Sequence, residues 1–325
     1  MNNAKGMERG KALFGKIGIE LALLLLIVIS SIASPKFAQV SNVINILRQV
    51  SVTGVIAVGM TFVIINGGID LSVCGIVGLS GMAAVILQDR GTAVALLAAV
   101  GIGVLCGVIN GYCISQGLAP FIMTMAMDTV VRGLAYLTSN GQPVAGVNPA
   151  YRFLGSGYII NFELNGKATG IPVPVLIFLL VVLVAWFVLK HTNFGRHVYA
   201  VGGNAEAARL SGISIVRTKM IVFAISGFLA ALSGIMLSAR MAACDPTLGT
   251  GYNVDAISAT VIGGTSMAGG EGNVLKTVVG AMIITIMSNI LNMVNVSPYI
   301  QQVITGMIIF VTVYTDNWRR NSASK

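Results

Sequence analysis

The chain has 325 residues, of which 55% are hydrophobic and only 10% are charged, and its mean hydropathy is +0.87. Because soluble domains carry about 25% charged residues, this composition excludes an ordinary soluble protein and predicts one embedded in a lipid bilayer. The formal charge of +9 does not indicate a nucleic-acid partner, since the basic residues lie mainly in the N-terminal tail, a central loop and the C-terminus, a distribution that reports membrane topology.

Apolar segments recur along the whole sequence, and a spanning helix needs about 20 mostly apolar residues. By this criterion we predict about ten spans, near residues 17–33, 43–65, 70–88, 93–115, 119–138, 172–190, 218–240, 253–268, 274–295 and 298–315. The count stays open around Asn66–Asp70 and Gly263–Asn273, where short or re-entrant segments can hide. The predicted fold class is an all-α polytopic membrane protein with a single transmembrane domain at residues 17–318.

Basic residues set the expected orientation. An even number of spans places the basic tail at residues 1–16, the central loop and the tail at 319–325 on one side, and loops rich in Lys and Arg stay in the cytoplasm. We therefore expect both termini to be cytoplasmic. The apolar run at 17–33 follows basic residues as in a signal peptide, but the many later spans indicate a retained first helix.

The fourth predicted span has a face of small residues at every fourth position, formed by Ala95, Ala99, Gly103, Gly107 and Gly111. Such a face lets another helix backbone approach closely. Gly227–Ala231 in a later span has the same character. These patterns predict a tightly packed bundle and carry no information about a substrate.

The connection at residues 139–171 is expected on the outer face. It carries Arg152, Glu163 and Lys167 among Gly, Pro and Asn, without a strong positive bias. Such a loop could contact an extracytoplasmic partner or simply bridge two helices.

The loop at residues 191–217 combines basic residues with local helix signals. Gly202-Gly203-Asn204 predicts a turn. Asn204 as the N-cap, Glu206 in the first turn and Gly212 at the C′ position together predict a short helix. A capped helix displayed outside the bilayer indicates a docking element, and an ordinary cytoplasmic loop with local caps is the alternative.

The two halves of the sequence echo one another. Ile69-Asp70-Leu71-Ser72 leads into a Gly-rich run, and Val254-Asp255-Ala256-Ile257-Ser258 leads into another. Corresponding Gly-interrupted apolar segments are typical of transporters built from repeats. For both aspartates we favour helix capping over contact with a substrate.

Polar residues within spans are costly and therefore informative. Asp128 and Arg132, at i and i+4, predict a neutralising pair. No acidic chain runs through the middle of any span, which argues against a proton-coupled pump. Mild hydrogen-bonding residues that could line a path for a neutral sugar, or equally hold helices together, are Asn42, Asn45, Gln49, Ser51, Thr53, Asn289, Asn292 and Asn295.

Motifs for catalysis are missing from the sequence, which has no G-x-x-x-x-G-K-[ST], H-E-x-x-H or G-x-S-x-G. The histidines, His191 and His197, both lie in the basic loop, and the four cysteines lack metal-site spacing and read as buried hydrophobes. An aspartyl dyad would need Asp70 and Asp255 adjacent in space. We predict that the chain is not an enzyme and binds no cofactor or metal.

Four sequence blocks occur in a characteristic order, Gly59–Gly81, Arg132–Gly146, Gly195–Ile213 and Asp245–Asn273. Together they resemble the permease subunits of bacterial monosaccharide ABC importers, the ribose permease family, over nearly the whole chain. The third block looks like the cytoplasmic loop with which that family docks on its ATPase. Departures from the family pattern, which leave the exact sugar open, are Cys74, Met125–Asp128, Cys244 and Glu271.

The resemblance implies an ABC importer permease fold in the bacterial inner membrane and transport of a monosaccharide, ribose-like, allose or related, by alternating access. It implies a homodimer or heterodimer of permeases, cytoplasmic ATP-binding subunits and an extracytoplasmic sugar-binding protein. ATP and Mg²⁺ would bind the ATPase subunit, in keeping with the missing P-loop. The competing interpretation is an ATP-independent secondary transporter or channel, for which the short helix of the central loop would be dispensable.

Two residue sets follow from the resemblance. The residues expected to couple the permease to its ATPase are Gly203, Asn204, Glu206, Ala207, Arg209, Leu210 and Gly212. The residues proposed for pathway or gating roles are Asp70, Ser72, Asp255 and Asn292.

Overall fold

The computed structural model describes the backbone of residues 2–164 and 167–323, and the side chains of residues 18–159, 170–311, 313 and 314. Within these residues the helices are α1 (Asn2–Ala33), α2 (Val40–Ile65), α3 (Val73–Ile86), α4 (Thr92–Ser115), α5 (Pro120–Ser139), α6 (Pro149–Ser156), α7 (Val173–His191), α8 (Asn193–Gly203), α9 (Ala205–Leu210), α10 (Ile215–Met241), α11 (Tyr252–Ile262), α12 (Val274–Met293) and α13 (Pro298–Ala323). The antiparallel strand pairs are β1 (Val144–Ala145) with β4 (Ala243–Cys244), and β2 (Tyr158–Leu164) with β3 (Lys167–Pro172). These small sheets correct the all-α prediction.

In the part of the chain that the structure describes, six helical segments are long and apolar enough to cross a membrane, which confirms a polytopic membrane protein. They are Val40–Ile65, Val73–Arg90, Thr92–Ser115, Val173–His191, Ile215–Met241 and Val274–Met293, where Val73–Arg90 joins α3 to a 3₁₀ turn. Two shorter apolar helical stretches are Gly18–Ala33 and Pro298–Val311. α1 and α13 continue as helices into the predicted tails at 1–16 and 319–325.

The predicted span at 253–268 is wrong in length. α11 has 11 residues and ends at Ile262, and a non-helical segment follows as far as α12. Gly264, Gly269 and Gly270 in this segment have φ values of 81°, 85° and 75°, which a right-handed helix does not allow. The third predicted span similarly begins at Val73 rather than at residue 70.

α2 and α10 form the centre of the bundle and run antiparallel. Near one end of the contact Ser233 Oγ donates to the carbonyl of Val52, and further along Gly59 lies against the backbone of Ser226. Every residue of α2 from Val50 to Ile65 is buried. A helix that is apolar and buried all round must lie inside the bundle rather than at its lipid surface.

The small-residue face of α4 packs directly on α10, as predicted. Gly103 faces the backbone of Gly227, and Gly107 faces the backbone of Phe223. A Cβ atom at either glycine would overlap a carbonyl oxygen of α10. The glycines thus set how closely the two helices approach.

The sequence echo has a counterpart in the packing. α10 packs on α3 and α4, while α2 packs on α11 and α12. α4 runs antiparallel to α10, and α12 runs antiparallel to α2. Because α2 and α10 are themselves antiparallel, the segments α2–α4 and α10–α12 have related packing but opposite direction, as in an inverted repeat.

The two long connections lie at opposite ends of the bundle. α8 packs against the C-terminal end of α2, where Gly202 meets the carbonyl of Ile65. At the other end α6 packs on the C-terminal part of α10, and Tyr151 Oη lies 2.6 Å from Ser238 Oγ. The side chains of Glu163 and Lys167 lie outside the described residues, and Arg152 is exposed.

Candidate functional site

The short helix α9 has well-formed caps at both ends. Asn204 Oδ1 accepts the Ala207 N–H at 2.9 Å, as its position before the helix predicts. At the other end Gly212 has φ 82° and donates its N–H to the Arg209 carbonyl, while Ile213 donates to the Ala208 carbonyl, each at 3.0 Å. These two bonds form a Schellman motif, so the helix is defined by its own sequence.

α9 displays the predicted coupling residues to solvent. All of these residues, Gly203, Asn204, Glu206, Ala207, Arg209, Leu210 and Gly212, are exposed, and Leu210 is 77% exposed. Ala208 on the opposite face is buried and fixes the helix to the bundle. α9 lies outside the apolar spans, so contact with lipid does not account for the exposed leucine.

The polar face of α9 carries one ion pair. Arg209 Nη2 lies 2.6 Å from Glu206 Oε1. The hydrogen bond and positive charge of Arg209 lower the pKa of the Glu206 carboxyl below its usual range. Because both groups are fully exposed, water and salt screen the pair, and it contributes little to stability.

α8 connects α9 to the rest of the bundle, and its C-terminus differs from the prediction. Gly202 and Gly203 belong to α8 rather than to a turn, and the helix ends at Asn204. A Cβ on Gly202 would overlap the carbonyl of Ile65, which also accepts the N–H of Gly270 at 2.8 Å. The glycine therefore serves a close backbone contact with α2 and with the segment between α11 and α12.

Two side-chain bonds add to this contact. Tyr199 Oη on α8 donates to the carbonyl of Gly272 at 2.9 Å, and Asn66 Nδ2 donates to the carbonyl of Val198 at 3.3 Å. Displacement of α8 would therefore move the C-terminal end of α2 and the N-terminal end of α12 together.

Asp70 is fully buried and fully engaged. Its Oδ1 accepts the N–H of Ser72 at 3.0 Å and also the Ser72 hydroxyl, and its Oδ2 accepts the Ser226 hydroxyl at 2.7 Å. Asn110 Nδ2 donates to Ser72 Oγ at 2.9 Å. The cluster joins the start of α3 to α4 and α10. Asp70 bonds to Ser72, the N-cap residue, rather than to an N–H in the first turn of α3, so the predicted capping role of Asp70 is not met.

Asp255 has a different environment. The residue before α11 is Gly251, whose position no side chain caps, so Asp255 does not cap the helix and that prediction is wrong. Its carboxylate has no hydrogen-bond or ion-pair partner in the described part of the chain, and it faces a cavity of about 380 Å³. The residues that line the cavity are Gln49, Thr53, Arg240, Thr250, Tyr252, Asp255, Ile284, Thr285 and Ser288.

The polar residues that could line a sugar path or hold helices together take different roles in the structure. Gln49 and Thr53 line the cavity, whereas the amides of Asn42 and Asn289 bond to each other at 3.0–3.1 Å. Asn45 accepts a hydrogen bond from Arg240 at 2.7 Å.

Of the residues proposed for pathway or gating roles, only Asp255 lines the cavity. Asn292 is exposed and accepts a bond from Gln301 at 2.9 Å, and Ser72 belongs to the Asp70 cluster. The cavity residues Tyr252, Thr285 and Ser288 were not predicted. The spacing of Thr285 and Ser288 on one helix face was the available signal.

Other predicted features are also in place. Asp128 and Arg132 form an ion pair with 3.4 Å between Nη2 and Oδ2. Cys74, Cys106 and Cys244 are buried and unbridged, as expected of small hydrophobes, while Cys113 is half-buried. The Asp70 and Asp255 carboxylates lie in separate environments and share no hydrogen bond, so they do not form an aspartyl dyad.

Comparison with known proteins identifies the family to which this chain belongs. A profile described as "Branched-chain amino acid transport system / permease component" matches residues 42–313. The ribose import permease of Bacillus subtilis (strain 168) is 42% identical over 313 residues, which cover 95% of this chain and 94% of the relative. The L-arabinose transport system permease of Escherichia coli (strain K12) is 34% identical over 333 residues, which cover 98% and 97%.

The fold is also found in a solved structure, described as a metal-chelate type ABC transporter in an inward-facing conformation. It has a TM-score of 0.55 and 15% identity, with 94% of this chain and 99% of that chain covered. The chain is thus a multi-pass protein of the bacterial inner membrane and not an enzyme. It belongs to the family of permease subunits of bacterial ABC importers, of the type that includes the ribose import permeases.

Proposed function

We propose that this chain forms the translocation pathway of an ATP-driven importer that carries a monosaccharide, ribose or a related aldose such as allose, by alternating access. The relatives named for ribose and L-arabinose support a sugar as substrate. The observation that carries the proposal is α9, a capped helix that presents an apolar side chain outside the bilayer.

The partner that fits α9 is a cytoplasmic ATP-binding subunit. Leu210 needs an apolar groove to bury it, and Glu206 and Arg209 supply charged groups around that contact. Burial of an exposed leucine contributes about 2 kcal/mol, enough to matter in a docking interface. The chain has no P-loop of its own, so we assign ATP and Mg²⁺ to that subunit.

The contacts of α8 give the coupling a physical route. ATP binding would close the two ATPase subunits and push α9 of each permease. α8 would pass this motion to Ile65 and to Gly270 and Gly272, at the ends of α2 and α12. ATP can shift the permease between inward- and outward-facing states only as far as the ATPase prefers one of them.

The remaining partners follow from the same function. A second permease, identical or related, would complete the membrane unit. An extracytoplasmic sugar-binding protein would dock at the end that carries α6, which is opposite to α9. In this arrangement residues 191–217 are the cytoplasmic coupling loop, 139–171 are the extracytoplasmic loop, and both termini are cytoplasmic.

Co-purification tests the proposal. The chain is purified from membranes of its host as wild type, as the double variant Glu206→Lys with Leu210→Asp, and as Gln116→Lys, a charge change in another exposed loop at the same end. We expect a nucleotide-binding subunit to accompany the wild type and Gln116→Lys but not the double variant. All three should elute as the same folded species.

A secondary transporter would behave differently. The wild type would purify without an ATP-binding subunit and move sugar in vesicles that contain no ATP. That result would replace the importer proposal with the ATP-independent one.

A further inference from the structure

We propose that the cavity between α2, α10, α11 and α12 is a binding site for a neutral polyhydroxylated solute, with Asp255 and Arg240 as its specificity-determining residues. The inference rests on the proposed function, because it names the place where the transported sugar is held within this subunit. It requires a polar cavity whose lining side chains are not already hydrogen-bonded to other protein groups. The charge and size of the cavity must also match a sugar.

The cavity gathers polar groups without protein partners. Within the described residues, six lining side chains make no hydrogen bond to another protein group, namely Gln49, Thr53, Tyr252, Asp255, Thr285 and Ser288. Their polar atoms face the open space of the cavity and are not sealed in the protein interior, so all six are available to a bound molecule. A set of unpaired donors and acceptors around one space is explained by a ligand that supplies the missing partners.

Two hydrogen-bonded pairs flank the unpaired cavity side chains of α2 and α12. On one side the amides of Asn42 and Asn289 bond to each other, and on the other side the hydroxyls of Thr61 and Thr277 lie 2.8 Å apart. Polar residues that hold helices together are thus satisfied by one another. Between the two pairs, the lining residues Gln49, Thr53, Thr285 and Ser288 have no such partner among the described residues. The Thr61–Thr277 contact must separate for a solute bound there to continue toward the α9 end.

The lining of the cavity carries one charge of each sign. Asp255 supplies one carboxylate, and Arg240 supplies one guanidinium, which Asn45 orients through a bond of 2.7 Å. A carboxylate accepts strongly from hydroxyl groups and a guanidinium donates strongly to them. The sum favours a solute with no net charge over a phosphorylated or otherwise anionic one.

The cavity also discriminates between sugars and branched-chain amino acids. A zwitterion could pair with Arg240 and Asp255, but its aliphatic side chain would need an apolar wall, and Ile284 is the single aliphatic residue of the lining. The hydroxyls of Thr53, Thr285 and Ser288 would then stay unpaired. A site that offers hydrogen-bonding groups rejects a ligand that leaves them without partners. The volume of about 380 Å³ lies within the range of about 300–1,000 Å³ usual for small-molecule sites.

Transport by the whole complex tests the site. The permease, its ATPase and its sugar-binding protein are reconstituted in proteoliposomes, with Asp255→Asn and Thr285→Val as variants and Ser258→Ala as the control. Ser258 lies on α11 as Asp255 does, but its hydroxyl bonds to the Val254 carbonyl and it does not line the cavity. Initial uptake of D-ribose, D-allose, L-arabinose and L-leucine is measured together with ATP hydrolysis.

We expect wild type to import at least one of the sugars and not L-leucine. Asp255→Asn should lower maximal sugar uptake about 10-fold or more, and Thr285→Val about 3-fold, the effects of a charged and a neutral hydrogen bond. The half-saturating sugar concentration should stay constant, because the binding protein sets it. ATP hydrolysis should continue, so the ATP used per sugar rises, and Ser258→Ala should match the wild type.

Two results would overturn the inference, namely L-leucine import by the wild type, or normal sugar uptake per ATP in every cavity variant that folds. Thr285→Val keeps the volume of the side chain, so it decides the matter even if Asp255→Asn does not fold. Failure of the proposed function is recognised separately, because the wild type would then show no ATP-dependent sugar uptake.

Discussion

Asp70 and Asp255 occupy matching places in the two echoing segments of the sequence, yet their environments differ in kind. Asp70 is fully buried and accepts three hydrogen bonds from Ser72 and Ser226. Asp255 has no such partner in the described chain and faces a cavity. One carboxylate fastens helices together, and the other is available to a solute.

The difference shows how one bundle can keep polar groups for two purposes. A carboxylate in a low-dielectric interior is tolerated when its oxygen atoms are satisfied, and satisfaction makes it a structural cross-link. A carboxylate left open in a cavity contributes no such cross-link, and a ligand can supply the partners that it lacks. A change at Asp70 should therefore lower the stability of the protein, whereas a change at Asp255 should lower transport and leave stability nearly intact.

The largest expected effect is on folding. Asp70→Ala leaves the donors of Ser72 and Ser226 unpaired in the interior, so we expect it to destabilise the protein by about 3 kcal/mol or more. Asp255→Ala should change stability by less than about 1 kcal/mol. Thermal unfolding in detergent, followed by size-exclusion chromatography, measures both. Equal losses would show that the two sites do not differ as described.

A milder substitution at the Asp70 site isolates the contribution of Ser226. Ser226→Ala removes the bond to Asp70 Oδ2 and keeps the two bonds from Ser72. Because a hydrogen bond to a charged group contributes about 1.5–3 kcal/mol, the melting temperature should fall by several degrees, but less than for Asp70→Ala. A fall as large as that of Asp70→Ala would mean that Ser72 contributes nothing to the cluster.

Two threonines make a matched pair for the same contrast. The Thr61 hydroxyl is buried and paired with Thr277 at 2.8 Å, whereas the Thr285 hydroxyl opens into the cavity. Thr61→Val should destabilise the protein by about 1 kcal/mol, and Thr285→Val should leave the melting temperature within about a degree of wild type. The reverse order would contradict the assignment of the Thr285 hydroxyl to a ligand.

Much of this architecture could be predicted from local sequence. The caps of α9, the small-residue face of α4 and the Asp128–Arg132 pair all follow from residues a few positions apart, and all are present. Local signals suffice there because the interactions themselves are local.

The errors arose where distant residues decide the outcome. α11 is short because the Gly-rich segment after it bonds to Ile65, some two hundred positions away, which no local pattern reports. Gly202 belongs to α8, where its lack of a side chain allows the close contact with the carbonyl of Ile65. Likewise, Asp70 and Asp255 share a local pattern, and only Ser226 and the cavity distinguish them.

The smallest expected effect concerns the exposed pair on α9. Glu206→Gln should leave the melting temperature unchanged, since both groups of the pair are in water. Because Arg209 lowers the pKa of Glu206 in the folded protein, the pair is present above the ordinary pKa of 4.5 and is lost as pH falls below the lowered one. Coupling between ATPase and permease should therefore be independent of Glu206 protonation near neutral pH. A change in coupling between about pH 6 and pH 8 in wild type that Glu206→Gln abolishes would contradict this.

Whether this chain works with an ATPase is decided by sugar uptake in proteoliposomes that contain the permease, its ATP-binding subunit and its sugar-binding protein, with and without ATP at the side of the ATPase. We predict that uptake requires ATP and that Leu210→Asp abolishes it, since that variant loses the docking contact of α9. Uptake without ATP, or uptake that Leu210→Asp leaves intact, would show that this chain is not an ATP-coupled sugar permease that docks through α9.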